Sequence, residues 1–308
     1  MNRYGSDKPD LRFGMEIKCL DDIAADSDFV VFKNAIADGG TVRAIVLEGG
    51  ADKLSRKELD KLVEFVKTYK AKGLAWYGLG AEGVKCSFAK AVTAQELDKI
   101  AASLGMKQGD IALFVADKWQ TAVVSLGALR CNLAARFGLY KSDDYAALWV
   151  VDFPLFEYSE EEGRFVAMHH PFTAPKNEDL PYMLTDKARV RAKAYDVVIN
   201  GDEMGGGSMR IYNQDVQKLM FKALGFTDEQ TQAKFGYFVE AFKYGTPPHG
   251  GLALGLDRLV MVLTETSNIK DVIAFPKMQN ASCMMTDAPA PVDDKQLDEL
   301  EIALNIKE

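Results

Sequence analysis

Short apolar runs and amphipathic stripes alternate along the chain, and their spacing predicts a mixture of strands and helices. FVVF at Phe29 to Phe32, TVRAIVLEG at Thr41 to Gly49, GLAWYGLG at Gly73 to Gly80 and DIALFVAD at Asp110 to Asp117 read as strands. Between them, Leu59, Leu62, Val63 and Val66 form one helical stripe, and Leu97, Ile100, Ala101 and Leu104 form another. Each stripe has a start signal. Ser55 precedes Glu58, and Thr93 precedes Glu96, at the spacing of a capping box. The pattern breaks at KSDDY, Lys141 to Tyr145, before ALWVVDFPLFE at Ala147 to Glu157 resumes as a buried strand. Further strands are expected near Arg164 to Met168, Ala194 to Asn200 and Gly207 to Tyr212, then helices at Val216 to Leu224 and Asp228 to Lys243. Leu256, Leu259, Val260 and Leu263 fall at i, i+3, i+4 and i+7, so another helix with one buried stripe begins near Leu256.

These rhythms predict an α+β protein with more than one domain. Residues 29–141 form a module of their own, residues 1–28 lead into it, and residues 142–308 form a second domain, an antiparallel sheet flanked by helices. At 308 residues the chain is long enough for two ordinary domains. Its net charge of -8 argues against broad non-specific binding to nucleic acid or membrane, so any RNA contact would use a local basic patch. Cys19, Cys86, Cys131 and Cys283 lie far apart, without metal-ligand spacing, and read as reduced thiols. There is no apolar run of membrane-spanning length and no basic-then-apolar leader, so the expected location is the cytoplasm, with no membrane partner.

Candidate chemistry concentrates in the second half. HGGLALGLDRLVMVL, His249 to Leu263, delivers Arg258 to the first turn of a helix behind a glycine-rich strand. Gly250, Gly251 and Gly255 remove side chains, which lets a flat base or a phosphate approach the backbone. A forked, permanently charged guanidinium suits a polyphosphate. Glycines before an amphipathic helix also serve as a plain strand-to-helix turn. Asp196 is a lone carboxylate in an apolar strand and needs a partner or a metal to offset desolvation. Glu203 and Arg210 flank Gly205 to Gly207 and are expected on neighbouring strand segments joined by a tight turn, where they could simply pair. His169 and His170 stand before Pro171 in an irregular segment and by themselves read as one packed and one exposed loop histidine. His249 reads as structural.

The GLDR string after GTPPHGG resembles the third signature of class II aminoacyl-tRNA synthetases, in the aspartyl, asparaginyl and lysyl subgroup. RYGSDKPDLRFGMEI at Arg3 to Ile17, MHHPFTAPK at Met168 to Lys176 and AYDVVINGDEMGGGSMRIYN at Ala194 to Asn213 resemble the bacterial-type aspartyl enzymes, so the likeness spans the whole chain. It implies part of the antiparallel-sheet core of class II synthetases, interrupted by the insertion (GAD-type) domain those enzymes share with an amidotransferase subunit. It implies an aspartate–tRNA ligase acting on L-aspartate, ATP and the acceptor end of tRNA, with Mg2+. By the same likeness, Arg258, with Gly255, Leu256 and Asp257, belongs to the ATP site. Glu203 holds ATP through Mg2+, with Asp196 as a further candidate, and Arg210 clamps the aspartate side chain. His169 contacts the aspartate, with His170 as a second candidate. The family also carries an anticodon-binding barrel, a dimer-forming first signature and a second signature with another ATP-clamping arginine. None is found in this sequence, so the chain is expected to be the C-terminal half of a homodimeric enzyme and inactive alone. Two other readings fit parts of the pattern: a non-catalytic tRNA- or protein-binding insertion module, and an aspartate–ammonia ligase on the same core.

Overall fold

A computed structural model describes residues 1–306 and divides the chain into two compact units, Met1–Ala253 and the segment from Leu254 onward. Mixed helix and antiparallel sheet is what the sequence rhythm predicts. In the first unit, β1 (Lys18–Cys19), β2 (Thr41–Leu47), β3 (Ala75–Gly80), β4 (Gly83–Cys86) and β5 (Ile111–Asp117) form one antiparallel sheet in the order β1-β2-β5-β3-β4. Both faces of this sheet are covered, which is why its central strands read as nearly continuous apolar runs. Ile45, Leu47, Leu113 and Val115 point to one core, with Leu59, Leu62 and Val66 of α3 (Arg56–Thr68) and Leu126, Leu129 and Leu133 of α5 (Trp119–Phe137). Val42, Ala44, Ala112 and Phe114 alternate to the other face. There they meet α1 (Asp21–Ala25), α2 (Val30–Ala37) and α4 (Ala94–Leu104) through Ala24, Phe32, Leu97, Ile100 and Leu104.

FVVF is not a strand. Its residues begin α2, because Phe29, Phe32 and Ile36 recur at helical spacing beyond the short apolar run. Phe29 and Phe32 pack on Phe88 with ring centroids 4.9 and 5.3 Å away, while Val30 and Val31 stay exposed. The two start signals also differ. Ser55 and Glu58 make the full reciprocal box, whereas Thr93 accepts from the Glu96 amide and the Glu96 carboxylate instead takes the Ser27 hydroxyl.

After α5, β6 (Ala147–Val151), β7 (Phe156–Ser159), β8 (Arg164–Ala167), β9 (Ala194–Ile199), β10 (Asp202–Met209) and β11 (Gly250–Leu254) follow. Their main sheet runs β11-β10-β9-β6, and β7 pairs with β8. ALWVVDFPLFE is therefore two strands and not one buried strand. Asp152 at φ 63° ends β6, and Pro154 bridges Arg191 before β7 begins. β6 lies at the sheet edge and keeps Trp149 and Val151 more than half exposed. Helix α6 (Gln214–Ala223) is capped by Asn213 and α7 (Asp228–Ala241) by a Thr227–Gln230 capping box. α6 adds Met220, Ala223 and Leu224 to a core with Phe153, Leu155, Met183, Val190 and Ile211.

In the second unit, α8 (Leu256–Leu263) starts where the stripe predicts and α9 (Asp294–Glu299) follows. The stripe is not buried: Leu256 and Leu263 are 72% and 78% exposed, and Cys283 is the buried residue of this unit among those described. Periodicity reports which side of a helix favours burial, not that the burying surface is present. All four cysteines are free thiols, and among the described residues no helix is long and apolar enough to cross a membrane.

Candidate functional site

The β9–β10 hairpin is the foundation of the site. Asn200 and Gly201, at φ 54° and 91°, make its two-residue turn, and the Asn-Gly pair is the sequence signal that identifies it. Gly205 to Gly207 are consequently not a turn but lie within β10, on the same strand as Glu203 and leading straight to Arg210. Gly206 sits opposite Asp196, Glu203 sits opposite Val198, and the register shifts between Glu203 and Gly205. That bulge matters. Glu203 and Gly206 are three positions apart, which in a regular strand would put them on opposite faces. The extra residue, buried Met204, restores the parity and brings Glu203 to the face of Asp196.

Gly206 leaves space on that face. A β-carbon there would fall 2.3 Å from Asp196 Oδ1 and 3.6 Å from Glu203 Oε1, so both carboxylates converge over its missing side chain. Burial first, then the Glu203 charge, pushes the Asp196 carboxyl above the usual carboxylate range. Asp7 adds to this, while His169 and Lys8 oppose it. Lys8 Nζ pairs with Glu203 Oε2 at 3.1 Å. Further along the strand, Ser208 and Arg210 continue the same face by alternation, and Ser208 Oγ lies 3.5 Å from Thr173 Oγ1.

Arg210 is held between two loops. Its amide donates to His249 O at 2.9 Å, and it forms an isolated bridge with Thr173. Its side chain lines a cleft of about 440 Å³ with His170, Phe172, Phe235, Tyr237, Phe238, Phe242 and His249. The aromatic wall is close-packed, with Phe172–Phe238 and Phe238–Phe242 centroids 4.6 and 4.7 Å apart. The His170 Nδ1 accepts the Phe172 amide at 3.2 Å, and burial followed by the Arg210 charge lowers its pKa. The two histidines therefore divide. His170 shares the cleft of Arg210, and His169 stacks edge-on to Phe153 at 5.2 Å and acts electrostatically on Asp196. His249 has a structural bond, its Nδ1 lying 2.9 Å from Pro247 O.

The arrangement offers a fixed cation for a small carboxylate and, toward the hairpin turn, a carboxylate pair suited to a hard cation. Among the described residues no three acidic, histidine or cysteine side chains form a metal cage. Two carboxylates fit Mg2+, which keeps waters and substrate phosphates as its other ligands. Arg258 belongs to the second unit. It occupies the first turn of α8, which Gly255 caps without a side chain, and it is exposed like Leu256 and Asp257. The residues that sequence reasoning left without a role are Lys8, inside the GSDKPDLR string, and Arg130, in the middle of α5.

The sequence resembles that of the aspartate–tRNA ligase of Clostridium botulinum (strain Eklund 17B / Type B), 57% identical over 305 residues, which are 99% of this chain and 51% of that protein. It is 54% identical over 306 residues to the aspartate–tRNA(Asp/Asn) ligase of Caldanaerobacter subterraneus subsp. tengcongensis, covering 99% of this chain and 52% of that protein. The chain thus spans about half the length of the curated relatives it matches. A solved aspartyl-tRNA synthetase from Entamoeba histolytica is 20% identical, with a TM-score of 0.34, over 78% of this chain and 44% of that one. Residues 1–279 match the family described as tRNA synthetases class II (D, K and N), and the chain belongs to that family.

Proposed function

We propose that the chain supplies the aspartate-binding and part of the ATP-binding machinery of an aspartate–tRNA ligase, which forms aspartyl-adenylate and passes the aspartyl group to tRNA. The observation that carries this reading is the single sheet face that holds Asp196, Glu203 and Arg210, with Gly206 clearing the space between the carboxylates. Arg210 binds the side-chain carboxylate of aspartate, and the aromatic wall around it excludes water and strengthens that pairing. His170 contributes from the same cleft, and His169 from the side of Asp196. Glu203, with Asp196 as a further candidate, would hold Mg2+, which when bound would neutralise phosphate charge. Arg258, with Gly255, Leu256 and Asp257, binds the polyphosphate. The substrate carboxylate attacks the α-phosphorus of ATP and pyrophosphate leaves, so alignment and charge neutralisation supply the catalysis.

The likeness to aspartate–tRNA ligases runs through residues 29–141 as well as the core, which favours tRNA over ammonia as the acceptor. We assign residues 29–141 to the insertion domain, with residues 1–28 leading into it and residues 142–308 to the core. The working enzyme is a cytoplasmic homodimer in this reading, and a chain spanning half the relatives' length does not complete adenylation alone.

Calorimetry with L-aspartate and with ATP plus Mg2+ tests the reading. Aspartate should bind in preference to asparagine, and Arg210→Gln should remove the preference. Arg258→Ala should weaken ATP while α8 stays helical. A folded sample that binds neither ligand refutes it.

A further inference from the structure

We propose that residues 1–17 are a strut, anchored on α5 by Arg130, whose Lys8 holds the Glu203 carboxylate in position. The inference rests on the role just proposed for Glu203.

The anchored end is built around a buried charge. Arg130 is 1% exposed, and its Nη2 donates to the carbonyls of Asp10, Phe13 and Gly14 at 2.9, 3.3 and 3.0 Å. Its guanidinium also lies 4.4 Å from the Phe13 ring centroid. A buried guanidinium is costly unless its donors are satisfied, so the loop must keep these carbonyls convergent. Gly5 and Gly127 let the loop sit directly on the helix. A β-carbon on Gly5 would fall 1.9 Å from Val123 O, and one on Gly127 would fall 2.7 Å from the carbonyls of Tyr4 and Gly5. Gly5 also needs its φ of 70°. The loop closes on itself through Ile17 N to Arg3 O at 2.7 Å and Arg3 Nε to Glu16 at 3.0 Å.

The far end meets the hairpin. Asp10 packs against the turn, where a β-carbon on Gly201 would lie 3.2 Å from Asp10 Cβ. Lys8 pairs with Glu203 at 3.1 Å. A lysine is a point charge on a flexible stem, so where it delivers its ammonium depends on where its backbone is fixed. Glu203 faces repulsion from Asp196, and Asp7 adds negative charge nearby. Lys8 adds an attraction that opposes that repulsion and favours Glu203 over Gly206. The insertion module thereby positions a carboxylate of the core sheet without touching substrate, and Lys8 and Arg130 are positioning residues.

The test is a double-mutant cycle on the chain, read by the Glu203 side-chain carboxyl resonance in NMR and by calorimetric affinity for ATP with Mg2+. Lys8→Met should move the Glu203 resonance and weaken the nucleotide about tenfold, as loss of a supporting contact does, without changing the melting temperature. Lys8→Arg should restore both. Arg130→Lys, which does not touch Glu203, should move the same resonance and speed hydrogen exchange over residues 3–17. Combined with Lys8→Met it should add no further loss of affinity, because both act along one route. A Glu203 resonance insensitive to Arg130→Lys, or losses that multiply, would overturn the strut. If Arg130→Lys fails to fold, Trp119→Phe loosens the same anchor by removing the 2.8 Å bond from Trp119 Nε1 to Asn2, with the same two outcomes. If the wild-type chain binds no nucleotide, the functional reading fails, while the Glu203 resonance still decides the strut.

Discussion

Two adjacent glycines in β10 should respond in opposite ways to the same added methyl group. A β-carbon on Gly206 meets Asp196 Oδ1 at 2.3 Å, the free end of a side chain that can rotate away. A β-carbon on Gly207 meets Gly251 O at 1.9 Å, the backbone of the neighbouring strand β11. Replacing a strand glycine with alanine ordinarily gains about 0.5–1 kcal/mol. Displacing Asp196 from its preferred rotamer costs about 0.5–1.5 kcal/mol, so Gly206→Ala should change stability little. At Gly207 the whole of β11 must withdraw. Overpacking costs about 1–3 kcal/mol and each ladder bond lost adds about 1 kcal/mol, which, less the same glycine-to-alanine gain, gives a destabilisation of roughly 1–3.5 kcal/mol. Urea unfolding measures both, with the midpoint compared at constant slope. Hydrogen exchange over residues 250–254 should rise in Gly207→Ala alone, and ATP binding with Mg2+ should fall in Gly206→Ala despite its intact fold. Equal stability of the two variants would refute the geometry on which the site is built.

Arg210→Lys keeps the charge but loses the fork, and should weaken aspartate about tenfold or more while retaining some preference over asparagine, by competition calorimetry. Ser55→Ala removes half of the capping box of α3 and should cost about 1 kcal/mol, with faster amide exchange in its first turn. Asp179 is held down to about 2, chiefly by its hydrogen bonds from Arg191, below its unfolded value near 4. Its contribution is therefore full above pH 4 and lost as pH falls toward 2. Asp179→Asn should flatten the acid limb of the stability curve in that window, and an unchanged limb would contradict the pairing.

What the sequence made legible was whatever local spacing encodes. The stripes of α3 and α4 and their cap residues follow from three- and four-residue neighbours, and so does the run from Leu256 that begins α8. FVVF misled because four residues cannot distinguish a strand from the first turn of a helix, and the deciding contact, Phe29 on Phe88, spans a long stretch of chain. Helix α5 has a one-sided stripe, Leu126, Leu129, Arg130 and Leu133 at i, i+3, i+4 and i+7, but an arginine occupies one of its buried positions and interrupts the apolar pattern. The bulge at Met204 was equally hidden. It is a property of how two strands align, and no residue in GDEMGGG announces it.

The same distinction governs the site. Glu203 and Arg210 were visible as chemistry, but their relation was misread as a turn because glycines suggest flexibility when seen alone. In the sheet those glycines do the reverse: Gly206 clears room for a carboxylate and Gly207 admits a neighbouring backbone, so both enforce close approach. Lys8 was overlooked because its partner lies 195 positions away, from residue 8 to residue 203. A lysine in a polar loop has no local signature that separates solvent from a carboxylate. The exposed leucines of α8 belong to the same class of information. Their spacing specifies a surface that favours burial, and among the described residues Leu256 and Leu263 stay exposed. Local pattern thus locates the groups that can act, while register and long-range contact decide which of them act together.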